Sequence, residues 1–492
     1  MSAVGTALWR LDASGFHKER QSANDHLTQT IVLINFTFPH ISARIITKLY
    51  SEEDDAMFEK TTENLIDFIQ KSPSCYHVAE NFVLMLQEHN FRKLSEFQPW
   101  KLEEGGQYFV VRGDSSLIAF KIPKKDFNNF QIIASHSDSP SFKIKEKEEL
   151  SVDGHYIELN TEKYGGMLCA PWFDRPLSVA GKAVVRCSNT FETRLVNIDR
   201  DLVMMPNVAI HMNRQANDGY VYHAQKDMIP LFGDETAKGM FRKMIAKQID
   251  AKEEDILGAD LFLYNRMPGT IWGANREYFS SPKLDDLQCA YASMIAFLNS
   301  GNPDSVSVCC IFDNEEVGST TKQGADSTLL LDTLQRINSC LTRNPEEYKI
   351  AIASSFMLSA DNAHAVHPHH LDKADPTNRP YMNHGPVIKY NANQKYTTDS
   401  ISGAIFKAIC DNAGVPCQTY VNHSDLPGGS TLGSIANTHV SLNTVDIGLA
   451  QLAMHSPYET AGVKDTWYMI TAMREFYNTH IKRECNGSYQ FS

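Results

Sequence analysis

Val306-Ser-Val-Cys-Cys-Ile-Phe-Asp-Asn-Glu-Glu-Val-Gly-Ser319 decides how the rest of the sequence is read. Residues 306–312 are almost wholly apolar and rich in β-branched side chains. That predicts a strand buried on both faces, as in a parallel sheet. Asp313, Glu315 and Glu316 follow at once, and then Gly318. Carboxylates crowded at the end of a buried strand cannot all stay ionised without a cation nearby. Ligands of open α/β sheets sit at the carboxyl ends of strands. The economical solution is a metal held by one Glu, with the adjacent Glu left to move a proton. The bland alternative is a solvated acidic turn, and the remaining sequence decides between the two.

The chain has 492 residues, enough for two or three domains, with 42% hydrophobic and 21% charged residues, an ordinary globular composition. Its net charge of −13 argues against nucleic acid or an anionic membrane as main partner. The 10 cysteines are scattered with no C-x-x-C pair, which fits small core residues in a reducing compartment. No apolar run approaches the ~20 residues a membrane-spanning helix needs. The expectation is a cytoplasmic protein.

Residues 1–56 show little periodicity and end near the acidic break Ser51-Glu-Glu-Asp-Asp55. They read as an appendage, with the fold beginning near Met57. An amphipathic helix follows, stopped at Ser72-Pro-Ser, and a second runs from about His77 to Asn90. Strands are predicted at 108–112, 116–122 and 130–135, the last ending in His136-Ser-Asp138. Residues 146–276 alternate in strand fashion between Gly and Asp turns, with helical pieces near 234–247, and read as a β-rich inserted domain. Within it, Val208-Ala-Ile is expected as a strand leading to His211. From 277 onward the α/β pattern returns: helices at 287–298, 327–340, 398–412 and 465–481, and strands at 306–312, 350–359 and 440–447. The expected domains are therefore 57–145 and 277–492 for the α/β part, with 146–276 inserted.

His136, Asp285, Glu316, Asp361 and His455 are ligand-type residues from separate segments at strand ends or helix starts. Two His and three carboxylates suit two divalent ions such as zinc, one carboxylate bridging. Asp138 is placed to accept the other ring N–H of His136 and fix its tautomer. Glu315 is left over as proton carrier. His367, His369, His370 and His384 are read as ordinary polar side chains, and Asp286 and Asp313 as turn or cap residues.

His136-Ser-Asp138, Leu284-Asp285-Asp286, Asp313-Asn-Glu-Glu-Val-Gly318, Ser359-Ala-Asp361-Asn-Ala-His-Ala-Val-His-Pro368 and Leu452-Ala-Met-His455-Ser occur in that order. Together with Trp172-Phe-Asp-Arg-Pro176, Ile210-His-Met-Asn-Arg214, Gly385-Pro-Val-Ile-Lys389 and Asp425-Leu-Pro-Gly-Gly-Ser-Thr431, they make the chain resemble the aspartyl aminopeptidase family, which includes vacuolar aminopeptidase I. The resemblance runs from about Met57 to Ile481. It implies a three-layer α/β/α catalytic domain split by a β-rich dimerisation domain, a co-catalytic zinc pair (two Zn2+ per subunit), and dimers assembling into a homododecamer. By motif position it implies His136 and Asp361 on one zinc, Glu316 and His455 on the other, Asp285 bridging, and Glu315 as general base. Lys389, Tyr396 and Gly429 become the candidate substrate-binding residues, with Lys389 able to pair with an acidic first side chain. His211 would reach into a partner subunit's site and stabilise the oxyanion.

The expected activity is removal of N-terminal residues, weakly preferring Asp or Glu, from peptides. A di-zinc deacylase or deacetylase would share the ligand set, but the β-rich insert and the later motifs favour the aminopeptidase. A non-catalytic assembly protein with a relic zinc site is opposed by the intact Glu315.

Overall fold

The computed structural model describes residues 42–485 and 487–492, with side chains from 55 onward. Two compact units divide the chain, residues 1–60 and 61–492. The expected appendage, residues 1–56, lies mostly outside the described residues. Its described part belongs to a helix, Ser42–Lys71. The acidic stretch 51–55 therefore does not interrupt the chain, because no Gly or Pro is present there to end a helix.

A nine-stranded sheet forms the centre of the second unit. Its order is Arg92–Lys93, Gln107–Arg112, Ser116–Lys121, Ser305–Phe312, Asn129–His136, Phe356–Ala360, Asn443–Gly448, Val387–Tyr390, Gln418–Val421. Ser305–Phe312 is buried along its whole length. It runs parallel to Asn129–His136 but antiparallel to Ser116–Lys121, so the sheet is mixed where the sequence suggested a parallel one. Four adjacent strands, from Ser305–Phe312 to Asn443–Gly448, are parallel to one another. Phe312 pairs with His136 and Ala360 with Ile447, so the carboxyl ends of these strands lie along one edge.

Helices cover both faces. Val306, Val308, Cys310 and Phe312 pack with Leu329, Leu334, Ile337 and Ala351 in one core. On the other face Ser135 Oγ meets Ser293 Oγ at 2.8 Å, and the Tyr477 hydroxyl donates to the Val308 carbonyl at 2.8 Å. These contacts bring in helices Leu284–Leu298 and Asp465–Asn478. The architecture is three-layer α/β/α. Cys289, Cys309, Cys310 and Cys410 are buried core residues, as their apolar surroundings suggested.

A second, wholly antiparallel sheet of six strands lies between Ser141 and Asn265 in sequence. It has its own core around Phe142, Trp172, Leu261 and Phe241. A smaller five-stranded sheet joins Thr270–Trp272, Tyr278–Ser281, Glu459–Gly462, Ala450–Leu452 and Ala363–His364. It gathers the segments that flank Asp285, Asp361 and His455.

Three element assignments change. Residues 350–353 belong to a helix, Pro345–Ala353, and the strand is only Phe356–Ala360. Asn344 caps that helix in a capping box with Glu347, a start signal just upstream of the apolar run. The last helix ends at Asn478, and Ile481–Cys485 pairs with Ser488–Phe491. No strand forms at 208–210; Val208 and Ile210 are exposed in a loop without ladder partners.

Candidate active site

The parallel strands deliver their polar ends to one place. His136 closes its own strand, and Glu315 and Glu316 lie in a single 3-10 turn after Phe312. Asp361 follows Ala360, while Asp285 sits at the start of Leu284–Leu298 with non-helical backbone angles. His455 lies between Ala450–Leu452 and Glu459–Gly462. Ligand atoms of His136, Asp285, Asp286 and Asp361 lie within 4.8 Å of one another, and those of Asp285, Glu316 and His455 do likewise. Asp285 belongs to both groups.

His136 Nε2 is 3.4 Å from Asp285 Oδ1 and 3.9 Å from Asp361 Oδ1. His455 Nε2 is 3.4 Å from Asp285 Oδ2 and 3.4 Å from Glu316 Oε2. These separations are long for hydrogen bonds and suit lone pairs arranged around a cation. Asp285 Oδ1 and Glu316 Oε1 are buried without any hydrogen-bond partner. A buried carboxylate oxygen left unpaired is costly unless an ion completes it. The donor set of imidazoles and carboxylates fits zinc.

The electrostatics agree. Burial opposes ionisation of Asp285, yet His136 and His455 together hold its carboxyl below the ordinary range. Burial, with Asp285 next, pushes Glu316 well up. Glu315 is pushed up to about 8, first by burial and then by Asp361, Asp138 and Asp285, with His136 opposing.

Asp138 acts through two different groups. Its carbonyl, 3.1 Å from His136 Nδ1, accepts the ring N–H, while its carboxylate is 3.4 Å away. The carboxylate instead accepts the backbone N–H of Glu315 at 3.1 Å and of Glu316 at 3.2 Å, and the Tyr164 hydroxyl at 2.6 Å. Asp286 is no helix cap: it is fully buried and its Oδ2 accepts the His136 backbone N–H at 3.1 Å.

The aminopeptidase I zinc metalloprotease (M18) family model matches residues 68–477. The chain belongs to this family. It is 45% identical over 427 residues to "Probable M18 family aminopeptidase 2" of Clostridium acetobutylicum, covering 85% of this chain and 98% of that one. The protein of the same name from Clostridium novyi is 43% identical over 427 residues, covering 85% and 99%. The mApe1 dodecamer of S. cerevisiae superposes with a TM-score of 0.76 at 27% identity, covering 86% and 97%. This M18 protein is thus a zinc-family aminopeptidase with the family's α/β fold.

A cavity of about 200 Å³ opens beside Asp285, Glu315, Asp361 and His455 in the M18 chain. Lys389, Tyr396 and Gly429 line it, and Tyr420 and Thr431 do so without having been singled out in the sequence. A Cβ at Gly429 would meet no atom within 4 Å, so the space beside it is open. His211 is exposed and is absent from the residues lining this cavity in its own chain. Two further residues carried no ligand-like motif. Glu459 is buried behind Asp285 and His455. Gly165 stands at φ 75° where a Cβ would come within 3.1 Å of Glu316 Cβ.

Lys389 is 2% exposed, and its ammonium donates to the carbonyls of Asp361 at 2.8 Å and Asn362 at 3.2 Å, with Asp361 Oδ2 at 3.4 Å. Removing one side of such a buried charged contact costs on the order of 3 kcal/mol. Lys389→Met is expected to lower the unfolding free energy by about that amount, read by denaturant titration. Unchanged stability would show that the ammonium is not committed to the Asp361 turn.

Proposed function

We propose that the M18 protein holds two zinc ions per subunit, His136 and Asp361 on one, Glu316 and His455 on the other, with Asp285 shared. Glu315 is then the general base for hydrolysis of the peptide bond next to a free N-terminus. One observation carries this reading. Nε2 of His136 and Nε2 of His455 face different oxygens of the same Asp285 carboxylate, each at 3.4 Å. A zinc pair bound there supplies Lewis acidity, acidifying a water and polarising the scissile carbonyl. Glu315 takes the proton of the attacking water and returns it to the leaving amine. Asp138 keeps the turn in register by holding the Glu315 and Glu316 amides.

The expected substrates are peptides, with a preference for Asp or Glu in first position. Lys389 is the only lysine or arginine lining the cavity among the described residues, but its ammonium is committed to the Asp361 turn, 5.3 Å from the Tyr396 ring centroid, so the acidic preference rests on the family resemblance. The enzyme is read as cytoplasmic, with 57–145 and 277–492 as catalytic domain and 146–276 as dimerisation insert. Among the described residues no helix is long and apolar enough to cross a membrane. The mApe1 dodecamer supports assembly of dimers into a dodecamer. In that assembly His211 of one subunit would serve its partner's site as an oxyanion donor. Its loop carries Val208, Ile210 and Met212, exposed by 54%, 45% and 78%, which suits burial against another subunit.

Glu315→Gln is expected to keep both metals by elemental analysis yet lose nearly all turnover, since it removes the base and no ligand. Asp285→Asn should instead lose metal. Wild-type turnover in Glu315→Gln would refute the role of Glu315. A panel of N-terminal residues should be cleaved fastest with Glu or Asp; faster cleavage of Leu overturns the acidic preference. His211→Phe should bind zinc and assemble normally while turning over about 100- to 1000-fold more slowly. Mixing it with Glu315→Gln subunits under verified exchange should restore activity. A mixture as inactive as its parents would confine His211 to its own chain.

A further inference from the structure

Glu459 opens the strand Glu459–Gly462, which pairs with Tyr278–Ser281 on one side and Ala450–Leu452 on the other. One neighbour leads into Asp285 and the other leads into His455. The side chain is 2% exposed. Its two oxygens are used separately. Oε2 accepts the backbone N–H of Asp285 at 3.1 Å, and Oε1 accepts the backbone N–H of His455 at 2.7 Å.

Both residues need such an anchor. His455 has φ 67°, the left-handed region that a non-glycine residue rarely adopts. Asp285 has φ −82° and ψ 110°, and with Asp286 it breaks the helical backbone at the start of Leu284–Leu298. Neither backbone is fixed by the regular ladder of an adjoining helix or strand. Gln451 extends the arrangement: its amide donates to Glu459 Oε1 at 3.3 Å and accepts from Asn362 Nδ2 at 2.7 Å. Asn362 is next to Asp361 and also donates to the Leu284 carbonyl at 3.0 Å. A single buried carboxylate thus ties the segments bearing Asp285, His455 and Asp361.

We infer that Glu459 is a positioning residue for the metal pair, setting the spacing of Asp285 and His455 through their backbone amides. This rests on the ligand reading given above. The chemistry is specific to a carboxylate. Three N–H donors arrive at its two oxygens, and a Glu carboxylate offers two acceptor oxygens where Gln offers one. Glutamine offers one oxygen and turns its NH2 against the other amide.

The test uses the full chain stripped of metal and retitrated with zinc against a chromophoric chelator. E459Q is expected to bind zinc about 10- to 100-fold more weakly, the usual effect of losing a group that orients a ligand. E459Q should lose more melting temperature with zinc than without it, so that the zinc-dependent rise shrinks. Wild-type zinc affinity in E459Q overturns the inference. So does an equal loss of melting temperature with and without zinc, which would mark a purely structural role. If E459Q does not fold, E459D decides: it keeps both oxygens on a shorter stem, and weaker zinc binding supports the role while wild-type binding overturns it. Absence of any zinc-dependent stabilisation in the wild type would sink the ligand reading itself.

Discussion

Where four parallel strands end side by side, Asp285, Asp286, Glu315, Glu316 and Asp361 converge around the imidazoles of His136 and His455. Burying one unpaired carboxylate is already expensive, and gathering several multiplies the cost. The protein does not relieve this by scattering them or by supplying arginines. Among the described residues the one ammonium lining the cavity, Lys389, is turned toward the carbonyls behind Asp361. The remaining negative charge faces inward, and divalent cations are what can balance it. The site therefore carries more negative charge than its own side chains balance, and its shape follows from keeping that charge in place.

Keeping it in place requires partners outside the ligand set. Each is a backbone contact made by a buried acid. Asp286 takes the His136 amide, Asp138 takes the amides of Glu315 and Glu316, and Glu459 takes those of Asp285 and His455. Apart from Glu459 with His455, four residues apart, these contacts cross between segments more than a hundred residues apart, so the spacing of the proposed ligands depends on tertiary packing and not on any single loop.

That dependence explains what the sequence discloses. The buried strand 305–312 and the strand ending at His136 are visible as β-branched apolar runs with acids or His at the end, because burial on both faces leaves little freedom of composition. The family motifs also mark the segments that come together. Glu459 is not visible, since a Glu in Tyr-Glu-Thr-Ala reads as an exposed strand residue until the small sheet encloses it. Gly165 is silent for a similar reason: its positive φ and its closeness to Glu316 are tertiary facts. The helix Pro345–Ala353 was legible in principle, through Asn344-Pro345-Glu346-Glu347, but the apolar run behind it looked like strand. The exposed loop at 208–212 resembled a strand because apolar residues destined for the surface of a single chain carry the same pattern as those destined for its core.

The spacing His136-x-Asp138 illustrates how one residue can serve two elements. A tautomer-fixing role needs only an acceptor near Nδ1, and the Asp138 carbonyl meets that need at 3.1 Å. The carboxylate is thereby released to reach across to the acidic turn. There it accepts two successive amides, a pattern that fixes the turn as a rigid unit rather than one side chain. Tyr164, the last residue of the insert strand Tyr156–Tyr164, closes the arrangement by donating to Asp138 Oδ2 and accepting from Asn314 Nδ2 at 2.8 Å. Just beyond, the Leu168 amide donates to the His455 carbonyl at 3.1 Å. The antiparallel insert is therefore continuous with the site: its strand Tyr156–Tyr164 and the following turn hold both the segment bearing Glu315 and the one bearing His455. Any displacement of the insert would move the proposed base relative to the proposed ligands, which couples the placement of the second sheet to the chemistry at the first.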